Sequence, residues 1–111
     1  MAVLLETSFG DLVIDLFPEK AKKACINFVK LCKMKFYNNA LFIDVQKDRL
    51  VKISQPSRPA TSIYEIISSN KANKYFEDEI HPELMHDKYG LVSTGNVGPN
   101  MNASDVMIIT F

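Results

Sequence analysis

The chain has 111 residues, 47% of them hydrophobic and 23% charged, enough apolar side chain for one folded core and too much for a disordered chain. Thirteen Lys and Arg balance thirteen Asp and Glu, so no global charge draws the protein to nucleic acid or to an anionic membrane. No apolar run approaches the roughly 20 residues of a membrane span, and Met1 to Ser8 lacks a basic region ahead of Val3 to Leu5; an intracellular, single-domain protein is expected.

In chain order, Val3 to Glu6 and Leu12 to Phe17 are rich in strand-forming residues and are separated by Ser8, Phe9, Gly10 and Asp11. Gly10 tolerates the positive φ of a tight turn, so the pair reads as a β-hairpin, with Leu12, Ile14 and Leu16 on one face. Pro18 suits the first turn of a helix, where a missing N–H costs nothing. From there Ala21, Ala24, Cys25, Phe28, Leu31 and Cys32 recur at spacings of three and four, and Lys20, Lys22, Lys23, Lys30 and Lys33 fill the other positions. This predicts one amphipathic helix with a basic outer face. No interleaved aromatics or arginines accompany the lysines, so a solvated face explains them better than a nucleic-acid surface.

Cys25 and Cys32 lie about two helical turns apart, roughly 10 Å of rise, which is too far for a disulfide between them. With His81 and His86 they make no zinc-like spacing, so they read as core thiols and no metal is expected. The two histidines flank Pro82 in a polar loop and read as surface residues.

Phe36 to Asn39 end the helix, and Leu41 to Ile43 and Leu50 to Ile53 are predicted strands around a polar turn at Gln46 to Asp48. Ser54 to Thr61 is a loop, Ser62 to Ile67 a short element, and Ser68 to Lys74 an irregular polar stretch. Phe76 to Glu79 open a loop running to Tyr89. The last stretch, Gly90 to Phe111, reads as strand, loop, strand: Leu91 and Val92, then a loop carrying Gly95, Asn96, Gly98, Pro99, Asn100 and Asn102, then Val106 to Phe111. Five or six short strands with one helix predict a mainly antiparallel sheet or barrel.

Three segments carry a family resemblance. Met1 to Asn38 (MAVLLETSFGDLVIDLFPEKAKKACINFVKLCKMKFYN) resembles the start of a cyclophilin, Phe76 to Glu79 is similar to that family's F-x-D-E, and Gly90 to Thr110 resembles its G-x-L-S-M-A-N-x-G-P-N-x-N-x-S-Q-F-F-I-T signature. The opening MAVLLET, with GD and VID after it, is most similar to the nuclear, spliceosome-associated type that carries an RNA-recognition motif after the isomerase domain.

The resemblance implies a mainly β fold, an antiparallel barrel capped by helices, with cofactor-free prolyl cis-trans isomerisation in a surface groove. In the family an arginine stabilises the prolyl nitrogen, apolar and aromatic side chains hold the ring, and a Gln and an Asn loop hold flanking carbonyls. An ungapped alignment of Leu41 to Ser54 puts Asp44 at the arginine position, after Ile43, which stands where the family has His. Arg49 falls at the pocket Phe, Leu50 at the next apolar position and Lys52 at the Gln. Gly95 replaces a small Ala, Asn96 is retained, Asp105 replaces a Gln, and Met107 replaces a second pocket Phe. Each of Asp44, Arg49, Lys52 and Asp105 also reads as an ordinary solvent-facing charge, and Leu50 and Met107 as ordinary strand residues.

The family's second helix, closing strands and later Trp and His groove residues have no counterpart in these 111 residues, so the resemblance implies a domain, residues 1–111, incomplete at its C-terminus. No catalytic residue is intact, so weak or absent isomerase activity is expected, with a non-catalytic binding module in a splicing or other nuclear complex as the alternative. Expected partners are proline-containing peptides or splicing proteins, without direct nucleic-acid contact by this segment. The implied location is nuclear, with the cytoplasm open as well. A barrel lacking its closing strands leaves an unpaired edge beside Val106 to Phe111, which predicts a dimer or a partner strand there.

Overall fold

A computed structural model describes residues 2–55, 59–79, 90–96 and 99–110. The expectations for Pro56 to Arg58, His81, Pro82, His86, Gly98 and Phe111 lie outside the described residues. Six strands and two helices follow in the order β1 (Ala2–Thr7), β2 (Gly10–Asp15), α1 (Lys22–Lys33), β3 (Leu41–Gln46), β4 (Leu50–Ser54), α2 (Ile63–Ser68), β5 (Val92–Asn96) and β6 (Asn102–Ile109).

The strands make two antiparallel sheets. β1 and β2 form the expected hairpin in unbroken register from Ala2 opposite Asp15 to Thr7 opposite Gly10. Gly10 has a φ of 127°, and the Thr7 hydroxyl donates to its carbonyl at 2.6 Å, which closes the turn. The other sheet has the order β3-β4-β6-β5. Among the described residues no strand pairing joins the two sheets.

The order of the larger sheet corrects the expected free edge beside Val106 to Phe111. β6 is an inner strand, paired with β4 on one side and β5 on the other. Within the described sheet the edges are β3 and β5 instead. β3 is strongly exposed, Leu41 at 55% and Val45 at 64%, but a bulge between Ile43 and Gln46 breaks its register. A bulged edge carrying a charge at Asp44 is a poor template for further pairing. β6 also starts earlier than expected: Asn102 to Asp105 are strand, because Asn102 already pairs with Asn96 and bridges to Phe76. Gly95 and Asn96 likewise belong to β5 and not to a loop.

α1 begins at Lys22 and not at Pro18. Pro18 instead lies in a turn in which the Lys20 and Ala21 N–H groups donate to the Phe17 carbonyl at 3.1 and 3.0 Å. Ala21, at the cap position, offers no side-chain acceptor. The cap comes from far along the chain: the Glu79 carboxylate accepts from the N–H of Lys23 at 3.0 Å and of Ala24 at 2.8 Å. A carboxylate among the unpaired N–H groups of a first turn also complements the helix dipole. Glu77, held below the usual carboxylate range by its hydrogen bond from the Lys23 ammonium, sits beside it. The acidic segment after Phe76 is therefore the N-terminal clamp of α1.

α2 is a second helix where one had been expected. Ser62 explains it: its Oγ accepts from the Glu65 N–H at 3.3 Å, the first half of a Ser-x-x-Glu capping arrangement. A 3₁₀ turn at Lys71–Asn73, capped by Asn70, follows within the stretch read as irregular.

Buried Leu31, Phe36, Ile53, Ile63 and Val106 mark where helices and sheet meet. Tyr37 stacks against both Phe28 and Phe36, with centroids 5.6 and 5.3 Å apart, and donates its hydroxyl to the Ser104 carbonyl at 2.5 Å. Burial, and then the nearby Cys32 and Asp105, push that phenol well above its ordinary pKa. Asn27, only 3% exposed, donates from Nδ2 to the Ala103 carbonyl at 3.1 Å and accepts at Oδ1 from the Ile63 N–H at 2.7 Å. One amide thus ties α1 to β6 and to the start of α2. Between β1 and β3 lies an open cleft of about 690 Å³, lined by Val3, Leu5, Phe28, Phe42, Ile53 and Val106, with Cys32 on its wall.

Asn27→Ala leaves two buried backbone groups without partners and is expected to lower unfolding stability by about 2–4 kcal/mol, read from urea melts. Asn27→Ser, which keeps a hydroxyl at the site, is expected to cost less. Burial pushes the Cys32 thiol up to about 11, against an ordinary 9.0. An unfolded chain therefore releases this proton at lower pH than the folded one, and the thiol's contribution to stability falls as pH rises from about 9 through about 11. Iodoacetamide labelling of Cys32 resolved by peptide mass should show its rate climbing toward a midpoint near 11, and a midpoint at 9 or below would contradict the assignment.

Candidate functional site

Strand alternation decides which of the sequence-selected residues meet. Lys52 pairs with Met107, Leu50 with Ile109, and Ile43 with Lys52. Leu50, Lys52 and Ser54 therefore share one face of β4, and Asp105 and Met107 share the same face of β6. Ile53 and Val106, themselves paired, point to the opposite face and are buried at 8% and 6%. The Ser54 hydroxyl donates to Asp105 Oδ1 at 3.2 Å and extends the β4 to β6 pairing on the site face. Ser54 belongs to this face, and sequence reading had left it at the start of a loop; a strand one residue longer, preserving the alternation, is the signal that finds it.

Asp44 reaches the face by an irregular route. In a regular strand it would point away from Lys52, since Ile43 is the residue opposite. The bulge and a left-handed φ of 49° at Asp44 redirect it, and its Oδ2 lies 3.7 Å from Lys52 Nζ while Oδ1 accepts from Gln46 Nε2 at 3.0 Å. Asp is among the residues that tolerate that backbone region. Both partners of the ion pair are partly exposed, at 39% for the Lys52 side chain and 46% for Asp44.

Gly95 lies on β5 against Asp105. A Cβ at Gly95 would come within 3.3 Å of the Asp105 Cβ, so the absence of a side chain allows the two strands to close here. Asn96 is the last residue of β5. Arg49 precedes β4. It sits in the turn between β3 and β4, where its N–H donates to the Gln46 carbonyl and its own carbonyl accepts from Thr110 N–H. Within β4, strand alternation makes Lys52 the cation on this face.

The asparagines of the last loop have a structural task. Asn100, at a φ of 54°, accepts from the Asp78 N–H at 2.9 Å, and Asn102 Nδ2 donates to the Phe76 carbonyl at 3.0 Å and to Asp78 Oδ1 at 2.7 Å. They fasten the Phe76 to Glu79 segment to β6. Among the described residues no group of three His, Cys, Asp or Glu side chains is placed to hold a metal. No helix among them is long and apolar enough to cross a membrane.

A sheet of this order, an N-terminal hairpin and a Phe-x-Asp clip beside an Asn-rich strand entry describe a cyclophilin fold. Residues 2–111 match the family described as cyclophilin type peptidyl-prolyl cis-trans isomerase/CLD, and the chain belongs to that family. Among curated proteins it is similar to peptidyl-prolyl cis-trans isomerase CYP59 of Arabidopsis thaliana, 44% identical over 94% of this chain and 21% of the relative. It is also similar to human peptidyl-prolyl cis-trans isomerase-like 4, 42% identical over 99% of this chain and 23% of the relative. The chain thus spans less than a quarter of the length of these two relatives. A solved cyclophilin type isomerase of Cryptosporidium parvum, crystallised in the presence of the dipeptide Ala-Pro, superposes with a TM-score of 0.86 at 32% identity. That likeness covers 99% of this chain and 68% of the other.

A double-mutant cycle of Asp44→Ala and Lys52→Ala should give a coupling of about 0.2–1 kcal/mol that shrinks at high salt, as expected of a partly exposed pair. A coupling above about 2 kcal/mol that ignores salt would mean the pair is sheltered from solvent.

Proposed function

We propose that this chain is a cyclophilin-like domain that holds proline-containing segments on its β4 to β6 face and turns them over weakly or not at all. The observation that carries the reading is the Asp44 carboxylate, turned toward Lys52 at the position where the resemblance implies an arginine. Rotation about an X–Pro bond has a barrier of roughly 18–20 kcal/mol because the amide must lose its resonance. As it does so the prolyl nitrogen gains electron density and accepts a hydrogen bond. A carboxylate has no proton to donate at neutral pH, and its charge opposes that density.

Binding asks for less than turnover. Leu50 and Met107 offer apolar surface, and the flexible thioether of Met107 adapts to a ring that a Phe would otherwise contact. The Lys52 ammonium can donate to a ligand carbonyl, although as a point charge already shared with Asp44. The same residues support the alternative of a non-catalytic module. The opening MAVLLET favours splicing or other nuclear proteins as its partners.

A protease-coupled prolyl isomerisation assay tests the reading. Activity is expected at least about a hundredfold below an ordinary cyclophilin, the scale of losing one transition-state donor. Asp44→Arg alone is expected to leave it low, because Arg49 and Lys52 still stand at the positions of the pocket Phe and the Gln. Turnover within about tenfold of an ordinary cyclophilin would overturn the proposal.

A further inference from the structure

Among the described residues, the charged groups of β4 and β6 on this face lie about Lys52. Lys52 lies between two carboxylates on the sheet: Asp44 beyond it toward β3, in ion-pair range, and Asp105 on β6, diagonal to it across the strand pair. Diagonal neighbours of this kind have Cα atoms about 7–8 Å apart, within reach of long side chains. Lys52 is engaged with Asp44, which also accepts from Gln46. Asp105 accepts from the Ser54 hydroxyl, and among the described residues no cation is paired with it. Along β3, β4 and β6 the face therefore combines apolar contact at Leu50 and Met107 with two carboxylates, Asp44 and Asp105, about one ammonium, Lys52, among the described strand residues.

We infer that the proline-containing segment this face selects carries a Lys or Arg within about two residues of its proline, with that cation directed to Asp105; the inference rests on the reading of the face as a proline-segment site. An extended segment advances at most about 3.3–3.6 Å per residue, so a basic side chain one or two residues from a ring lying over Leu50 and Met107 reaches the Asp105 carboxylate on the neighbouring strand. An acidic residue at the same place meets two like charges screened by a single ammonium. Asp44 acts through Lys52, neutralising it so that Asp105 keeps its negative field.

Fluorescence anisotropy on the 111-residue chain tests this with labelled peptides that differ only in having Lys, Ala or Glu before the proline, and with a matching set in which Ala replaces the proline. The expected order of affinity is Lys-Pro, Ala-Pro, Glu-Pro, each step about two- to fivefold, the size of a partly exposed ion pair. The steps should be larger at about 10 mM salt, where the Debye length is about 30 Å, and should shrink in about 1 M salt, where it is about 3 Å. Asp105→Asn should bring the ratio of Lys-Pro to Ala-Pro binding close to one, with circular dichroism confirming the fold. Equal binding of the three proline peptides, all tighter than their Ala-for-Pro controls, would overturn the charge inference and leave the proline-segment reading standing. Proline peptides no tighter than their controls would overturn that reading and the inference with it. A preference for Lys that ignores proline would overturn the inference in favour of a general acidic surface. The salt dependence decides on the unaltered chain even where the variant fails to fold.

Discussion

The Asn27 amide is the interaction on which the rest of the structure depends. It is buried under α1, and its two ends satisfy backbone groups of β6 and α2, which lie 76 and 36 residues further along the chain. A buried peptide N–H or C=O without a partner costs as much as a typical contact contributes, so the positions of Ala103 and Ile63 are held by what they would lose on leaving. β6 in turn is the inner strand that β4 and β5 pair with. The site face is one side of that arrangement, and its residues are aligned because β6 is anchored from behind.

A second set of polar contacts does for the loops what Asn27 does for the core. Glu79 caps α1, Asn100 and Asn102 hold the segment leading to it, and Ser104 Oγ accepts from the Thr61 N–H at 3.2 Å. Gln55 Nε2 donates to the carbonyls of Phe36 and Asn38 at 3.0 and 2.6 Å, tying the end of β4 to the chain leaving α1. These ties join segments distant in sequence, so side chains that look like ordinary turn residues determine how the elements sit together. Among the described polar contacts of the site face are Ser54 to Asp105, Gln46 to Asp44 and Asp44 to Lys52, the last of them half in solvent.

In the proposed reading, Asp44 at the position where the resemblance implies an arginine alters the chemistry open to the face more than its shape. The likeness to a solved cyclophilin at a TM-score of 0.86 shows the fold kept, while under the proposal the group at the implied donor position is an acceptor. Apolar contact and an ammonium remain, and these suit recognition of a chain more than rotation about its peptide bond. This division between retained contact surface and changed electrostatics is the basis for proposing a binding role with little turnover.

Local pattern by itself determined the hairpin, the amphipathic span of α1 and the strands β3 and β4 to within a few residues, while resemblance of the quoted motifs pointed to the family. Gly10 at a turn, apolar residues at helical spacing and alternation along a strand are short-range signals, expressed wherever the segment lies. The start of α1 at Lys22, the placing of β6 between β4 and β5, and the meeting of Asp44 with Lys52 were decided only by the tertiary structure. Glu79 is more than fifty residues from the helix it caps, strand order follows from long-range pairing, and the bulge that turns Asp44 has no local sequence mark. Lys52 was legible as a charged position in a strand, and Asp105 as a charge just before one. That they share a face with Leu50, Ser54 and Met107 depended on the register between β4 and β6, which only the folded sheet supplies.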